Sequence, residues 1–236
     1  MSIIFGKRPG IGVGGVISSA DQYTLHTFTT SGTFTPASTG FIDILAIGAG
    51  GPGGASGNFS NGAGGGAGAT LLSKFVKLTG LTPYPVIVGG SGSPSSFNST
   101  LIASAGGAGG AGDSFGVSSP TSSGGGGSGW TNSTPGGTGA NIYGIGFPGF
   151  SGSNFGGGGG GAGSGGPITT SSSVGGNGVP IAYFTGNPLA PFVCFGGPGP
   201  ESPTAWGSGG FSMPQSIRGQ TSPSGRQGVV MIKYLA

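Results

Sequence analysis

Residues 155–166 read Phe-Gly-Gly-Gly-Gly-Gly-Gly-Ala-Gly-Ser-Gly-Gly, and nine of these twelve are glycine. Such a stretch has almost no side chains to bury, so it is either disordered or held by its own backbone. Shorter glycine runs recur at 48–54, 62–68, 106–112, 124–129, 136–139, 175–178, 196–199 and 207–210. With 62 glycines and 18 prolines among 236 residues, the two make up about a third of the chain, against a usual share of roughly 12%. Disorder dictated by composition normally comes with high charge and few aromatics, whereas this chain is 5% charged and 9% aromatic. An ordered reading follows. Fixing each backbone costs about 1–2 kcal/mol, with glycine at the upper end. The offset must come from backbone hydrogen bonds, each worth a net ~0.5–1.5 kcal/mol, made densely between runs that approach closely.

One run shows a geometry that would do this. Ile102, Ala105, Ala108, Ala111 and Ser114 recur every third residue, with Gly106, Gly107, Gly109, Gly110 and Gly112 between them. On a threefold extended helix of the polyproline II type those side chains share one edge and the other two edges are bare backbone. Bare edges can pack on neighbouring helices through N–H donors and weaker Cα–H···O contacts. At ~3.1 Å per residue the twelve residues 155–166 would form a rod of roughly 35 Å, expected to be the centre of the bundle. The spacing between runs is irregular, which argues against a solenoid, and there is no strict Gly-X-Y period to suggest collagen.

Outside the runs the texture is that of strands. Tyr23-Thr24-Leu25-His26-Thr27-Phe28 and Gly32-Thr33-Phe34-Thr35 are β-branched and aromatic and end at Pro36. Phe41-Ile42-Asp43-Ile44-Leu45-Ala46-Ile47 reads as a buried central strand. Residues 71–78 and 84–88 follow as two more strands around the turn Thr79-Gly80-Leu81-Thr82-Pro83. Gly228-Val229-Val230-Met231-Ile232-Lys233-Tyr234 closes the chain as a strand whose Lys233 suits an edge or solvent-facing position. The expected fold is therefore mainly β, with almost no α-helix. A β-sandwich-like frame comes from 21–88 and 228–235, and polyglycine II helices and long loops are inserted over 89–227. Residues 1–20 form an apolar, glycine-punctuated arm. It reads either as an attachment segment for another protein or as a strand laid on its own domain.

Chemistry finds little to work with. Net charge is +3 from eleven charged residues, and between Lys77 and Arg218 the only charges are Asp113 and Glu201. A nucleic-acid reader needs a basic face, and the middle of this chain cannot build one. The single histidine, His26, reads as a structural strand residue, and the acids Asp21, Asp43, Asp113 and Glu201 are scattered. One cysteine, Cys194, excludes an internal disulfide and a cysteine-based zinc site, and reads as a small buried residue. Matches to G-x-G-x-x-G are expected by chance at this glycine content, and no Gly-Lys-Ser/Thr completes a phosphate loop. No catalytic residue, metal site or cofactor is expected. No run approaches the ~20 apolar residues of a membrane span. Ser2-Ile3-Ile4-Phe5 precedes Lys7-Arg8-Pro9, the reverse of a secretory leader. The chain is expected to be made in a cytoplasm, without membrane insertion.

The aromatics are more telling, because many lie between glycine runs. Trp130, Tyr143, Phe147, Phe150, Tyr183, Phe184 and Trp206 are the candidates for contact with a receptor, since loop-borne rings stack on sugars or anchor in protein pockets. The alternative is that they cover the sides of a bundle lacking side chains of its own. Residues 141–154, where aromatics alternate with Gly and Pro, are the preferred contact loop. In the arm, Ile3, Ile4 and Phe5 are the candidates for attachment.

The order of these blocks resembles a known family. Thr27-Phe28-Thr29-Thr30-Ser31-Gly32-Thr33-Phe34-Thr35-Pro36, then Ile44-Leu45-Ala46-Ile47-Gly48-Ala49-Gly50-Gly51, Val86-Ile87-Val88-Gly89-Gly90 and the closing strand are similar to the glycine-rich domain of phage tail fibres and related tail proteins. The likeness spans about residues 23–235. A looser, architectural likeness is to the tip adhesins of T-even-type long tail fibres, which bundle polyglycine helices and bind outer-membrane receptors through variable loops. The resemblance implies a non-enzymatic virion protein, made in the host cytoplasm and acting at the bacterial surface. Its implied partners are another fibre or tail protein through the arm and a surface receptor, protein or polysaccharide, through the loops. Two other readings stand beside it: a structural virion component without a receptor role, and an ice-binding or silk-like glycine protein.

Overall fold

The computed structural model describes residues 12–20, 22–56, 61–111, 116, 122–125, 136–137, 159–162, 175–185, 192–194, 196–197, 205–210 and 224–235. Strand formation follows the β-branched and aromatic stretches. β1 (Val16–Ala20), β2 (Tyr23–Phe28), β4 (Gly40–Ile47), β5 (Thr70–Leu78) and β11 (Val229–Leu235) form one antiparallel sheet in the order β1-β2-β11-β4-β5. A second antiparallel sheet runs β3-β6-β7-β8, from Gly32–Phe34, Tyr84–Ile87, Ser95–Phe97 and Leu101–Ala103.

Period-two alternation decides what each strand buries. Ile42, Ile44 and Ala46 of β4 and Val230, Ile232 and Tyr234 of β11 face the second sheet, where they meet Phe34, Val86, Phe97 and Ala103. Each large apolar side chain removed from water there contributes ~1.5–3 kcal/mol, and Tyr84 stacks on Phe97 with ring centroids 5.8 Å apart. The result is the mainly-β, sandwich-like frame that the sequence predicts. The residues between, Leu45, Ile47, Val229 and Met231, point the other way into a second core. That core is closed by the two-stranded hairpin β9 (Val179–Pro180) and β10 (Phe192–Val193), and by the one-turn helix α1 (Ala182–Thr185). Ile181, Phe184, Val193 and Cys194 supply its lid.

Three details decide between or extend the expectations. β11 is flanked by β2 and β4, so Lys233 sits mid-sheet and not on an edge; its stem crosses apolar neighbours while its ammonium lies 4.9 Å from the ring centroids of Tyr23 and Phe184. The frame continues past residue 88 to Ala103, because β7 and β8 extend the second sheet. Part of the expected arm belongs to the domain itself: β1 pairs with β2 from Val16↔Thr27 to Ala20↔Tyr23, and Val13 bridges Thr35. Ile3, Ile4 and Phe5 lie outside the described residues.

Between the strands, the glycine runs are joined by backbone hydrogen bonds with a period of three. Gly48, Gly51 and Gly54 donate to the carbonyls of Ala69, Gly66 and Ala63, and Ala63, Gly66 and Ala69 donate to Gly110, Gly107 and Ser104. Gly65 and Gly68 donate to Gly210 and Gly207, Ala67 donates to Gly160, and Gly197 and Ser123 donate to Gly65 and Ala67. A three-residue repeat is that of the polyproline II helix. Each of the three edges of segment 61–69 thus gives bonds to one neighbour and accepts them from another, so six segments surround it. Residues 62–69 are buried throughout. The centre of the bundle is 61–69, where the sequence suggested 155–166; of the latter, 159–162 is described, and it is one of the six neighbours. Close approach explains the glycines: a Cβ on Gly66 would run into the Ser123 and Gly124 carbonyl oxygens, and one on Gly65 into those of Gly51 and Pro52. Ile102 and Ala111 are exposed and Ala105 and Ala108 partly so, as expected of an outward edge.

Candidate functional site

The sequence-predicted contact residues fall into three groups. Trp130, Tyr143, Phe147 and Phe150 lie outside the described residues. Tyr183, on α1, is 56% exposed and free to meet a partner. Its neighbour Phe184 is 2% exposed and is part of the second core, so it serves as cover and offers no accessible ring. Trp206 is half-buried against the same core.

The structure also assembles a surface that the linear sequence does not suggest. Because Ile42 and Ile44 turn into the sandwich, Phe41 and Asp43 are placed on the opposite face of the first sheet, the side that carries the second core farther along the strands. Register sets their neighbours: Lys233 is opposite Asp43, and Lys77 is opposite Phe41. On β5 the register shifts between Ile42 and Ile44, so that Lys74 and Phe75 together oppose Asp43. Three of the four basic residues among the described ones, Lys74, Lys77 and Lys233, therefore gather on this face, with Asp43 the one acid. Their electrostatics are shared: burial lowers the Lys233 pKa, the Asp43 carboxylate opposes that shift, and the Lys74 ammonium adds to it.

Phe75 is the unusual member. Its φ is 56°, its ring is 78% exposed, and its N–H donates to Asp43 Oδ1 at 3.0 Å. A bulge of this kind is normally made with glycine at the left-handed position, and a bulky residue there is an outlier costing on the order of 1–2 kcal/mol.

On the other side of the sheet, the first core holds a closed polar network. His26 is fully buried, with Nδ1 2.7 Å from the Gly14 carbonyl oxygen and Nε2 2.8 Å from the Tyr234 hydroxyl. Gly12 N–H donates to the same hydroxyl at 2.9 Å. Burial lowers the His26 pKa, with the Gly14 contact opposing the shift. This network holds the stretch ahead of β1 in place and is structural in kind. Cys194 is likewise buried, 3.1 Å from Thr70 Oγ1, and burial pushes its thiol pKa up to about 12. A thiol held protonated is no nucleophile. A groove of about 360 Å³ opens between the sheets, lined by Val76, Tyr84, Phe97, Asn98, Thr100 and Leu101 among others. Among the described residues no group of three His, Cys, Asp or Glu could hold a metal ion, and no helix is long and apolar enough to cross a membrane.

The glycine-rich domain family matches this chain over residues 29–235. That span takes in both sheets and the rods, and the chain belongs to this family. No curated protein matches it.

Proposed function

We propose that this glycine-rich domain protein is a non-enzymatic phage virion component, a tail-fibre tip adhesin that binds a host-surface receptor through loops held by its polyglycine scaffold. It would act in the virion, at the bacterial cell surface. The observation that carries the reading is the six-neighbour bundle around 61–69. A rod core bonded through its backbone can fix the ends of the segments that join the rods while leaving their sequence free. Those segments carry Trp130, Tyr143, Phe147 and Phe150. Surface recognition is the use such an arrangement serves best. The resemblance of the motif order to the glycine-rich domain of phage tail fibres is the other support for this reading. Replacement of 141–154, and separately of 186–190, tests the reading without touching the buried Ile181, Phe184 and Val193. The expected result is altered adsorption or host range and loss of binding to host envelope fractions; unchanged adsorption with both replacements contradicts the receptor role.

A structural virion component is the second reading, favoured by one observation. Val13, Val16 and Ile17, at the β1 edge, are 64%, 68% and 48% exposed. An exposed apolar edge strand invites pairing with another chain. In this reading the arm, with Ile3, Ile4 and Phe5, seats the protein on a neighbouring subunit. Deleting residues 1–11 should then abolish incorporation into virions while leaving the isolated domain folded.

A further inference from the structure

We propose that the open face of the first sheet around Phe75 binds an acidic polysaccharide, a polymer of pyranose rings bearing carboxylates. Edge protection is the ordinary explanation for lysines and a bulge on an outer strand, and β5 is an edge. That explanation does not account for Phe75. Glycine would make the bulge without strain, and a phenyl ring 78% exposed is the reverse of what protects an edge. Strain held at one exposed aromatic, fixed by the Asp43 contact, marks a position kept for what the ring does.

The surroundings specify the ligand. Phe75 and Phe41, the latter 44% exposed, present flat apolar rings, whose negative faces suit the C–H faces of sugar rings. Lys74 and Lys77 are exposed on the face, and Asp43 is its one acid among the described residues, so the charge complement is an anion repeated along a chain; the Lys233 ammonium is already held over Tyr23 and Phe184. The rings favour a ligand with a carbon face, and the lysines one that carries negative charge. A carboxylated pyranose polymer satisfies both. The inference goes beyond the loop-borne contact proposed above and does not rest on it, because purified protein and defined polymers test it without any virion.

The test is binding of the whole protein to three polymers: polygalacturonate, which has rings and carboxylates; dextran, with rings alone; and polyglutamate, with carboxylates alone. Polygalacturonate should bind at least tenfold more tightly than either control, and binding should weaken as salt rises. Phe75→Gly should reduce that binding at least tenfold while leaving Tm unchanged or higher, since it relieves the left-handed residue. Lys74→Glu supplies the same test should Phe75→Gly lower Tm. Leu81→Gly, also at a left-handed exposed position but in the β5–β6 turn, should leave binding intact. Failure to bind polygalacturonate, equal binding of polyglutamate, or full binding by both Phe75→Gly and Lys74→Glu overturns the proposal.

Discussion

The Nε2 atom of His26 lies 2.8 Å from the hydroxyl oxygen of Tyr234, across 208 residues of chain. The pairing defines the histidine's protonation. Nδ1 faces a carbonyl, so it carries the proton and donates to Gly14, which leaves Nε2 to accept from the tyrosine O–H. The same oxygen accepts from Gly12 N–H. Three stretches, 12–14, β2 and β11, are therefore joined by one satisfied polar network inside an apolar core.

Tyr234→Phe should destabilise the fold by about 1–3 kcal/mol, because it strands the Gly12 N–H and the His26 nitrogen away from water. Thermal unfolding measures this. A loss well under 0.5 kcal/mol would mean that the network contributes little to stability.

Stability should also depend on pH in a definite sense. Burial holds the His26 pKa below its ordinary value of 6.5, so between those two values the unfolded chain binds more protons than the folded one. Stability then rises with pH across that window. It is complete above about pH 6.5 and is lost as pH falls from there towards the depressed folded value. His26 is the chain's one histidine, so a decline in Tm beginning near pH 6.5 is assigned to it. A flat or rising Tm between pH 6.5 and 5.5 contradicts the assignment.

Cys194 should be inert in the native protein. Its thiol is buried and its pKa stands at about 12, so the reactive thiolate is scarce and unreachable. A colourimetric disulfide reagent should titrate no Cys194 until denaturant is added, and one equivalent afterwards. Rapid native labelling would show the second core to be open.

Within the rods, position decides tolerance. Gly66→Val should prevent soluble folding, since its Cβ would wedge apart the Ser123–Gly124 segment. Ala111→Val, on the outward edge of its rod, should change stability by no more than ~0.5 kcal/mol. Expression yield and thermal unfolding of the two variants make the comparison, and similar behaviour would remove the packing argument.

Much of the frame was legible in the sequence, and what was missed has physical reasons. The apolar runs 41–47 and 229–232 mark strands directly, and β4 lies inside the sheet, between β11 and β5. Ser95–Phe97 and Leu101–Ala103 are three residues each and rich in turn neighbours, so only pairing with β6 identifies them as strands. Glycine count favoured 155–166 as the centre, but centrality depends on how many neighbours a rod finds, and that is a property of packing. Ile232-Lys233-Tyr234 reads as a solvent-facing alternation; the Tyr23 and Phe184 rings that receive the ammonium are remote in sequence. The site face was invisible for a similar reason. Lys74-Phe75-Val76 looks like regular strand, and nothing in it announces a bulge opposite Asp43.

The central claim is that backbone bonds among glycine rods, not side chains, hold this domain together around 61–69. Residue-resolved amide hydrogen exchange tests it most directly. Gly65, Gly66 and Gly68, which donate to Gly210, Gly107 and Gly207, should exchange only through global unfolding, as slowly as the most protected amides of β4 and β11. Exchange of those three glycine amides at the rate of an unstructured chain, while the strands stay protected, would contradict it.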